Sequence, residues 1–379
     1  MDFSLSKEQL LIQKAAREFA DKVIAPAAEK IDKENIIPDE IMAGLSDLDL
    51  FGIPFAEEYG GAGSDYVTYL LALEQIARAS MGVAGMIQAH CLTLSPLSYF
   101  GTPEQKQAYL PAACRGEAIA SFAFTEPATG SDPRQIATTA VKDGDQYVIN
   151  GTKRFITNSN QPGPAIIFAR ESTSGEVTAF VMDKFSPGYS VSEPWNKIGW
   201  HGGQLCDMYF HDVRVPAKNV LGEIGNGYPI LQQGIAFGKV GMAATFLGGT
   251  LAALEEAIQY SKQKTHRDRP IANFQAIQLA IAEIAEKYEA AKWLTYHMGY
   301  QTDNLKDMRV FTKYSALTKD FVCNNMVDCV RLAVNVHGSY GLMDDYKIAR
   351  LYRDAIIGPQ IEGVSDLQKI IVAGALLKG

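Results

Sequence analysis

The chain has 379 residues, of which 47% are hydrophobic and 21% are charged, the balance of a folded globular protein rather than a disordered or fibrous one. Its 35 lysine and arginine residues stand against 43 aspartate and glutamate residues, so the net charge of −8 leaves no cationic excess for binding a nucleic-acid backbone. The five cysteines form no C-x-x-C pair and the amino terminus has no secretory or transit pattern, which predicts a reduced, cytoplasmic protein.

Residues 1–120 are predicted to form a helical domain. Ser6 followed by Gln9 is a capping-box pattern, and apolar residues then recur at helical spacing. Pro26 is expected to end or kink this first helix. The uncharged stretch 79–103 is interrupted by polar residues, which favours a buried helix and turn over a membrane span. Further helical patterns cover residues 40–50, 66–79 and 103–110.

Residues 121–229 are predicted to form a β domain. Short β-prone runs are separated by turn signals, among them the hairpin dipeptides Asp143-Gly144 and Asn150-Gly151. Because no long helical pattern lies between the runs, the strands are expected to pair largely antiparallel. The predicted strands are residues 138–142, 146–149, 153–157, 165–169, 177–182 and 208–215.

Residues 230–379 return to long helical patterns, enough for a four-helix unit. The predicted helices are residues 240–264, 273–301, 307–336 and 366–377. The fold class predicted from pattern alone is therefore mainly α with a central β domain.

Several motifs that resemble known sites fail on spacing. Residues 234–239 are too short for a phosphate-binding P-loop and are followed by Val240 instead of a hydroxyl residue for magnesium. Residues 225–227 lack the third glycine of a dinucleotide fingerprint. The histidines have no metal-ligand spacing and no G-x-S-x-G element is present, so neither a metal site nor serine hydrolysis is expected.

Two segments keep a functional interpretation. Residues 121–132 carry hydroxyl side chains and a glycine where backbone N–H groups could face a polar cofactor, and an ordinary turn is the alternative. In residues 353–363, the carboxylate of Glu362 follows a Gly-Pro break in apolar company. A desolvated carboxylate there could act as a base, and a solvated carboxylate before a helix is the alternative.

Taken together, five motifs in this order resemble the acyl-CoA dehydrogenase family over residues 1 to about 375. The resemblance implies an amino-terminal helical domain, a middle antiparallel β-barrel-like domain and a carboxyl-terminal four-helix bundle. The motifs are F-T-E-P with G-S-D in 124–132, N-G-T-K-R-F-I-T-N in 150–158, D-V-R-V-P with N-V-L-G in 212–222, G-S-Y-G in 338–341, and R-D-A with E-G in 353–363.

The resemblance also implies non-covalent FAD between the middle and carboxyl-terminal domains of a homotetramer. The residues on the family's flavin-lining positions are Phe122, Phe124, Thr125, Gly130, Ser131, Phe155 and Thr157. Asn335, Gly338 and Gly341 fall on the stretch that reaches the adenosine end of FAD from the neighbouring subunit. The family's arginine that meets FAD across the dimer is absent, which leaves that contact to Lys264, Arg267 or Arg269.

Glu362 falls on the family's catalytic base. The implied reaction is removal of the α-proton of an acyl-CoA by Glu362, with transfer of the β-hydrogen as hydride to flavin N5 to give a 2,3-enoyl-CoA. The Glu362 backbone N–H and a ribityl hydroxyl would stabilise the developing enolate. Gly238 occupies the position of an alternative base in some members and cannot take a proton.

The substrate is predicted from what replaces bulkier residues near the base. Gly358, Pro359 and Ile361 remove volume, which predicts a short, branched or cyclic acyl group such as that of cyclohexanecarboxyl-CoA; neighbouring side chains that refill the space are the alternative. The positions implied to contact substrate are Ser131, Lys239, Gly358, Ile361 and Gly363.

Three alternatives share the same fold, and a noncatalytic paralogue is the least expected of them. The site could work as an enoyl-CoA reductase, or act on an acyl group bound to a carrier protein. A noncatalytic paralogue would be expected to lose the base or gain a basic face, and the sequence has neither feature. The resemblance makes electron-transferring flavoprotein the expected electron acceptor, and neither nucleic acid nor a membrane is an expected partner.

Overall fold

The computed structural model describes residues 4–377 and begins with a helical unit. The predicted capping box is present, because the Gln9 backbone N–H donates to Ser6 Oγ and the Ser6 N–H donates to Gln9 Oε1. The helices of this unit are α1 (Lys7–Phe19), α2 (Ala25–Glu34), α3 (Asp39–Asp47), α4 (Tyr66–Ala79), α5 (Met81–Phe100) and α6 (Pro103–Cys114).

Pro26 does not end the first helix. A π-helical turn, Ala20–Ile24, connects α1 directly to α2, and Pro26 lies in the first turn of α2. The wider π-helical turn accommodates the proline ring, which would clash with the preceding turn of a regular α-helix. It also tolerates the hydrogen bond that proline cannot donate. The helix ends at Asn35, which adopts the left-handed conformation with φ of 54°.

Helices α4 and α5 are buried along nearly their whole length. The stretch predicted as buried helix and turn is the helix α5, and its side chains join the same hydrophobic core as α4 and the start of the next domain. This central position brings one face of α5 to the boundary between all three parts of the chain.

The middle of the chain forms one eight-stranded sheet in the order β6-β7-β3-β2-β4-β5-β8, with β1 beside β4. The strands are β1 (Ser121–Ala123), β2 (Thr139–Asp143), β3 (Gln146–Thr157), β4 (Pro164–Glu171), β5 (Val177–Asp183), β6 (Tyr189–Val191), β7 (Leu205–Pro216) and β8 (Val220–Leu221). Most neighbours are antiparallel as expected, but β4 pairs parallel with both β1 and β2. The reason is that β4 lies beside β2 and not beside β3, so two reversals of the chain separate the pair.

The two hairpin dipeptides have different outcomes. Asp143 pairs with Gln146, so a tight turn joins β2 to β3 as predicted. Asn150-Gly151 is not a turn, because β3 continues through it and only shifts register against β7 between Ile149 and Gly151. A β-bulge, like a tight turn, uses the positive φ that glycine can adopt, and Gly151 has a φ of 150°.

The remaining helices form the carboxyl-terminal bundle. The first of them begins slightly before the predicted boundary and contains the P-loop-like residues 234–239 in its interior. This helix is long and apolar enough to cross a membrane, but 89% of its most apolar 18-residue segment is buried inside the protein. The elements are α7 (Gly227–Gln263), β9 (Thr265–His266), β10 (Arg269–Pro270), α8 (Gln275–Asp303), α9 (Met308–His337), α10 (Lys347–Ala355) and α11 (Ser365–Leu377).

Candidate active site

A cavity of about 370 Å³ lies where the helical unit, the sheet and the bundle meet, a volume within the range of ligand pockets. All seven residues predicted to line the flavin border it: Phe122, Phe124, Thr125, Gly130, Ser131, Phe155 and Thr157. A second wall contains Ile361, Glu362, Gly363 and Val364 from the bundle. A third wall comes from α5 through Gly82, Gly85, Gln88, Ala89 and Leu92.

A buried ammonium group, that of Lys153, holds the sheet side of the cavity. Lys153 Nζ on β3 donates to the Phe168 carbonyl at 2.6 Å, to Glu126 Oε1 at 2.8 Å and to the Phe124 carbonyl at 3.3 Å. Burial lowers the pKa of Lys153 to about 8, and the Glu126 carboxylate acts in the opposite direction. The Phe124 contact attaches the segment after β1, which lines the cavity, to the interior of the sheet.

Phe155 presents an aromatic face at the cavity. It has a φ of 58° beside an irregularity in the pairing of β3 with β7, and 51% of its surface is exposed. Its ring packs edge-on against Trp195 at 5.3 Å, and the Arg154 guanidinium lies over both rings. A half-exposed aromatic ring of this kind fits a planar ring system such as that of FAD.

The carboxylate of Glu362 borders the same cavity, in the segment before α11. Its Oε1 accepts a hydrogen bond from Gln88 Nε2 at 2.9 Å, whereas its Oε2 is buried without a hydrogen-bond partner among the described residues. Burial raises the pKa of Glu362 to about 7, while the Gln88 hydrogen bond and the charges of Lys319 and Lys239 lower it. A carboxyl group with this pKa and one free oxygen can accept a proton near neutral pH.

The backbone around Glu362 is fixed from two helices. Glu362 itself has a φ of 50°, a backbone conformation that a residue other than glycine adopts only when its surroundings impose it. The next carbonyl, that of Gly363, accepts hydrogen bonds from Lys319 Nζ at 2.8 Å and from Gln368 Nε2 at 3.0 Å. These contacts position the carboxylate by the backbone as well as by its side chain.

Gly238 lies directly beside the free oxygen of Glu362. A Cβ at position 238 would stand 3.0 Å from Glu362 Oε2 and 2.8 Å from Leu92 Cδ1. The glycine therefore leaves room for the carboxylate and contributes no competing side chain.

Gly358 and Lys239 lie outside the cavity lining, although both were predicted to contact substrate. A Cβ at Gly358 would stand 2.4 Å from the Phe246 ring, so Phe246 fills the volume that the sequence suggested was open. Lys239 is buried, and burial together with the charge of Lys319 lowers its pKa to about 8. Its charge acts on Glu362 from behind the cavity wall.

The residues predicted for the adenosine end of FAD lie apart from the cavity lining. Lys264 Nζ stands 4.8 Å from the centre of the Tyr340 ring, and Arg267 occupies the tight turn between β9 and β10. Asn335 and Gly338 are exposed at the end of α9, and Gly341 is buried just beyond it. A contact from these residues to the FAD of a neighbouring subunit stays a prediction.

Several residues of the cavity were not predicted from the sequence, among them Gln88 and Trp200. Trp200 has a φ of 54°, its N–H donates to Asp354 Oδ1 at 2.6 Å, and its carbonyl accepts from Lys197 Nζ at 2.7 Å. Its ring lies against Gly85, where a Cβ would stand 2.7 Å from the indole. The Gly82 and Gly85 pair on α5 was the available sequence signal for a close approach to this helix.

The fold and the cavity together define a flavin-dependent oxidoreductase that acts on a CH–CH bond. Acyl-CoA dehydrogenase family models match in chain order: the amino-terminal domain at residues 6–117, the middle domain at 121–213 and the carboxyl-terminal domain at 225–377. The chain belongs to the acyl-CoA dehydrogenase family, whose members are FAD-dependent.

Among curated relatives, a 3-(aryl)acrylate reductase of Clostridium sporogenes is 38% identical, with 98% of this chain and 99% of the relative aligned. A subunit of the caffeyl-CoA reductase–Etf complex of Acetobacterium woodii is 36% identical over 98% of this chain and 99% of its own length. The solved structure of butyryl-CoA dehydrogenase from Megasphaera elsdenii covers both chains completely, with a TM-score of 0.96 and 35% identity. The chain is thus similar over its whole length to enzymes named for either direction of the reaction.

Proposed function

We propose that this protein is an FAD-dependent acyl-CoA dehydrogenase that uses Glu362 as its base and acts on a short, branched or cyclic acyl-CoA. The observation that carries the proposal is the carboxylate of Glu362, with one oxygen held by Gln88 and the other free beside a cavity that fits a planar ring. Cyclohexanecarboxyl-CoA is the most specific candidate substrate.

The residues of the chain divide the work of the reaction. The sheet wall formed by Phe124, Thr125 and Phe155 would hold the FAD ring, which when bound supplies the capacity to accept two electrons from C2–C3 of the acyl group. Glu362 Oε2 takes the proton from C2, and the Glu362 backbone N–H donates to the thioester oxygen as negative charge develops there. The apolar surroundings exclude water from the proton as it moves.

The acyl group would lie between α5 and the segment before α11. Among the described residues that line the cavity, the charged ones are Glu362 and Lys197, and Lys197 Nζ is already bonded to the carbonyls of Trp200 and Gly203. Because those carbonyls already take two of the three Lys197 donors and the other lining residues carry no positive charge, a carboxylate on the acyl group would have little compensation for its burial. The lining therefore favours an uncharged acyl group, and the Trp200 side chain borders the same cavity.

The proposed function is tested by mixing the purified flavoprotein without oxygen with a panel of acyl-CoAs. We expect a branched or cyclic thioester, with cyclohexanecarboxyl-CoA included, to reduce the flavin absorbance faster than linear thioesters of equal carbon number. Reduction by linear thioesters alone would refute a branched or cyclic acyl group but leave the reaction intact. An acyl group that reduces the flavin only when it is bound to a carrier protein would replace the free thioester as substrate.

The reaction is expected to depend on pH through Glu362. Its pKa is raised to about 7 by burial, so the carboxyl group is protonated below that pH and ionised above it. Because dehydrogenation needs the ionised form, the rate of flavin reduction at low substrate concentration should rise as the pH increases through about 7 and then level off. A flat profile between pH 6 and pH 8 would contradict the assignment of the base.

A second candidate is the enoyl-CoA reductase direction, which relatives named as reductases favour. In that direction Glu362 must donate its proton, so the rate should fall as the pH increases through about 7. The electron partner decides between the directions, and we propose electron-transferring flavoprotein because a relative is named as part of a complex with Etf. Steady-state rates with that flavoprotein, supplied oxidised with acyl-CoA or reduced with enoyl-CoA, distinguish the two.

A further inference from the structure

We propose that Gln88 is a positioning residue for the reaction, which holds the carboxylate of Glu362 with Oε1 turned into the protein and Oε2 turned to the substrate. The inference rests on the proposed function in that it takes Glu362 to be the base. Gln88 lies on α5 and Glu362 in the last segment before α11, so the contact joins parts of the chain 274 positions apart.

The amide of Gln88 has a single favourable orientation. Its Nε2 donates to Glu362 Oε1 at 2.9 Å and to the Gly238 carbonyl at 3.0 Å. The two N–H groups of the amide satisfy these two acceptors, whereas a flipped amide would place its own oxygen against both of them. Gln88 is 3% exposed, so neither donor can turn to bulk water instead.

Two glycines of α7 keep this amide in place. A Cβ at Gly241 would lie 3.0 Å from Gln88 Cγ, and a Cβ at Gly238 would lie 3.0 Å from Glu362 Oε2. Glycine at both positions lets α5 and the carboxylate approach the same face of α7. The result is a fixed chain of contacts from the Gly238 carbonyl through the Gln88 amide to Oε1, which leaves Oε2 as the oxygen free to take a proton.

Gln88 also acts on the charge of Glu362 together with the other ionisable groups around it. Lys239 on α7 and Lys319 on α9 favour the ionised carboxylate, as the amide hydrogen bond does. Tyr66, Tyr69 and Cys323 are close enough to interact with the charge, and burial raises the pKa of all three groups, so they stay neutral near pH 7. Of the groups that stabilise the ionised Glu362 carboxylate, Gln88 is therefore the uncharged hydrogen-bond donor, and Lys239 and Lys319 are the cations.

The test replaces Gln88 by leucine, which keeps a similar size and removes both donors. A hydrogen bond to a charged group contributes enough free energy that its loss should move the midpoint of the pH profile up by about one unit or more. The rate at pH 7 should fall roughly fivefold or more through this shift and through loss of orientation. Gln233→Leu is the matched control, because Gln233 is a buried glutamine of α7 without a bond to Glu362 and its variant should keep the wild-type midpoint.

A second measurement does not depend on turnover or on the substrate. The carboxyl stretch of Glu362 in pH-difference infrared spectra of the flavoprotein, identified by its loss in Glu362→Gln, should titrate at higher pH in Gln88→Leu than in wild type. Gln88→Glu covers the case in which the leucine variant does not fold, since two facing carboxylates share one proton and the titration again moves upward. An unchanged infrared midpoint in a folded variant overturns the role of Gln88, whereas a shifted midpoint in a protein inactive on every thioester overturns only the proposed function.

Discussion

Glu362→Gln is expected to lower the rate of flavin reduction by an acyl-CoA by about 10²- to 10⁴-fold, the contribution typical of a positioned general base. The amide keeps the shape of the carboxylate and can still lie beside Gln88, but it cannot accept a proton at Oε2. Substrate binding and flavin content should persist, because the sheet wall and α5 are untouched. Stopped-flow absorbance at a saturating thioester concentration measures the rate, and the spectral change on mixing reports binding.

Stability separates loss of the base from loss of the fold in this variant. The folded-state pKa of Glu362 lies above the ordinary carboxyl value, so the native protein holds the proton more tightly than the unfolded chain, and stability falls as pH rises between about 4.5 and 7. Removing the titrating group should leave the unfolding temperature at pH 8 equal to or higher than that of wild type. A variant that retains wild-type turnover would show that another group takes the proton.

The order of the three domains could be predicted because each depends on local periodicity. Helices repeat their apolar residues every three to four positions and strands alternate, and these patterns do not require knowledge of distant partners. The glutamate before α11 was identifiable for a similar reason, since its motif is contiguous in sequence. The phenylalanines and hydroxyl residues of the sheet wall likewise belong to two short motifs.

The parts that could not be predicted depend on contacts between distant segments. In the sequence, Gln88 is only one of the polar residues that interrupt the uncharged stretch 79–103, and its role depends on a carboxylate 274 positions away. Gly358 illustrates the alternative that the sequence left open, because the absence of a side chain does not say which neighbour fills the space, here Phe246. The parallel pairing of β4 with β2 could not be predicted for the same reason. The residues of a strand do not indicate which of two earlier strands it will pair with.

The second large effect is expected from Lys153→Met, which should destabilise the protein by about 3–5 kcal/mol, the penalty for removing one partner of a buried ion pair. The Lys153 side chain is fully buried, and its loss leaves the carboxylate of Glu126 with backbone N–H donors from Ala137 and Thr138 only. The Phe168 carbonyl also loses its hydrogen bond from Nζ. The shift of the urea midpoint, multiplied by the slope, gives the change in stability.

Flavin content should fall together with stability in this variant, because the Phe124 carbonyl connects Lys153 to the cavity wall. Lys33→Met is the matched control: Lys33 bonds Glu29 at 2.6 Å on the exposed surface of α2, where removing an ion pair changes stability by no more than about 1 kcal/mol. Its ratio of flavin to protein absorbance should equal that of wild type. If Lys153→Met retained both its flavin and its midpoint, the buried pair would be dispensable, and the wall would have to be held by the pairing of β1 with β4 alone.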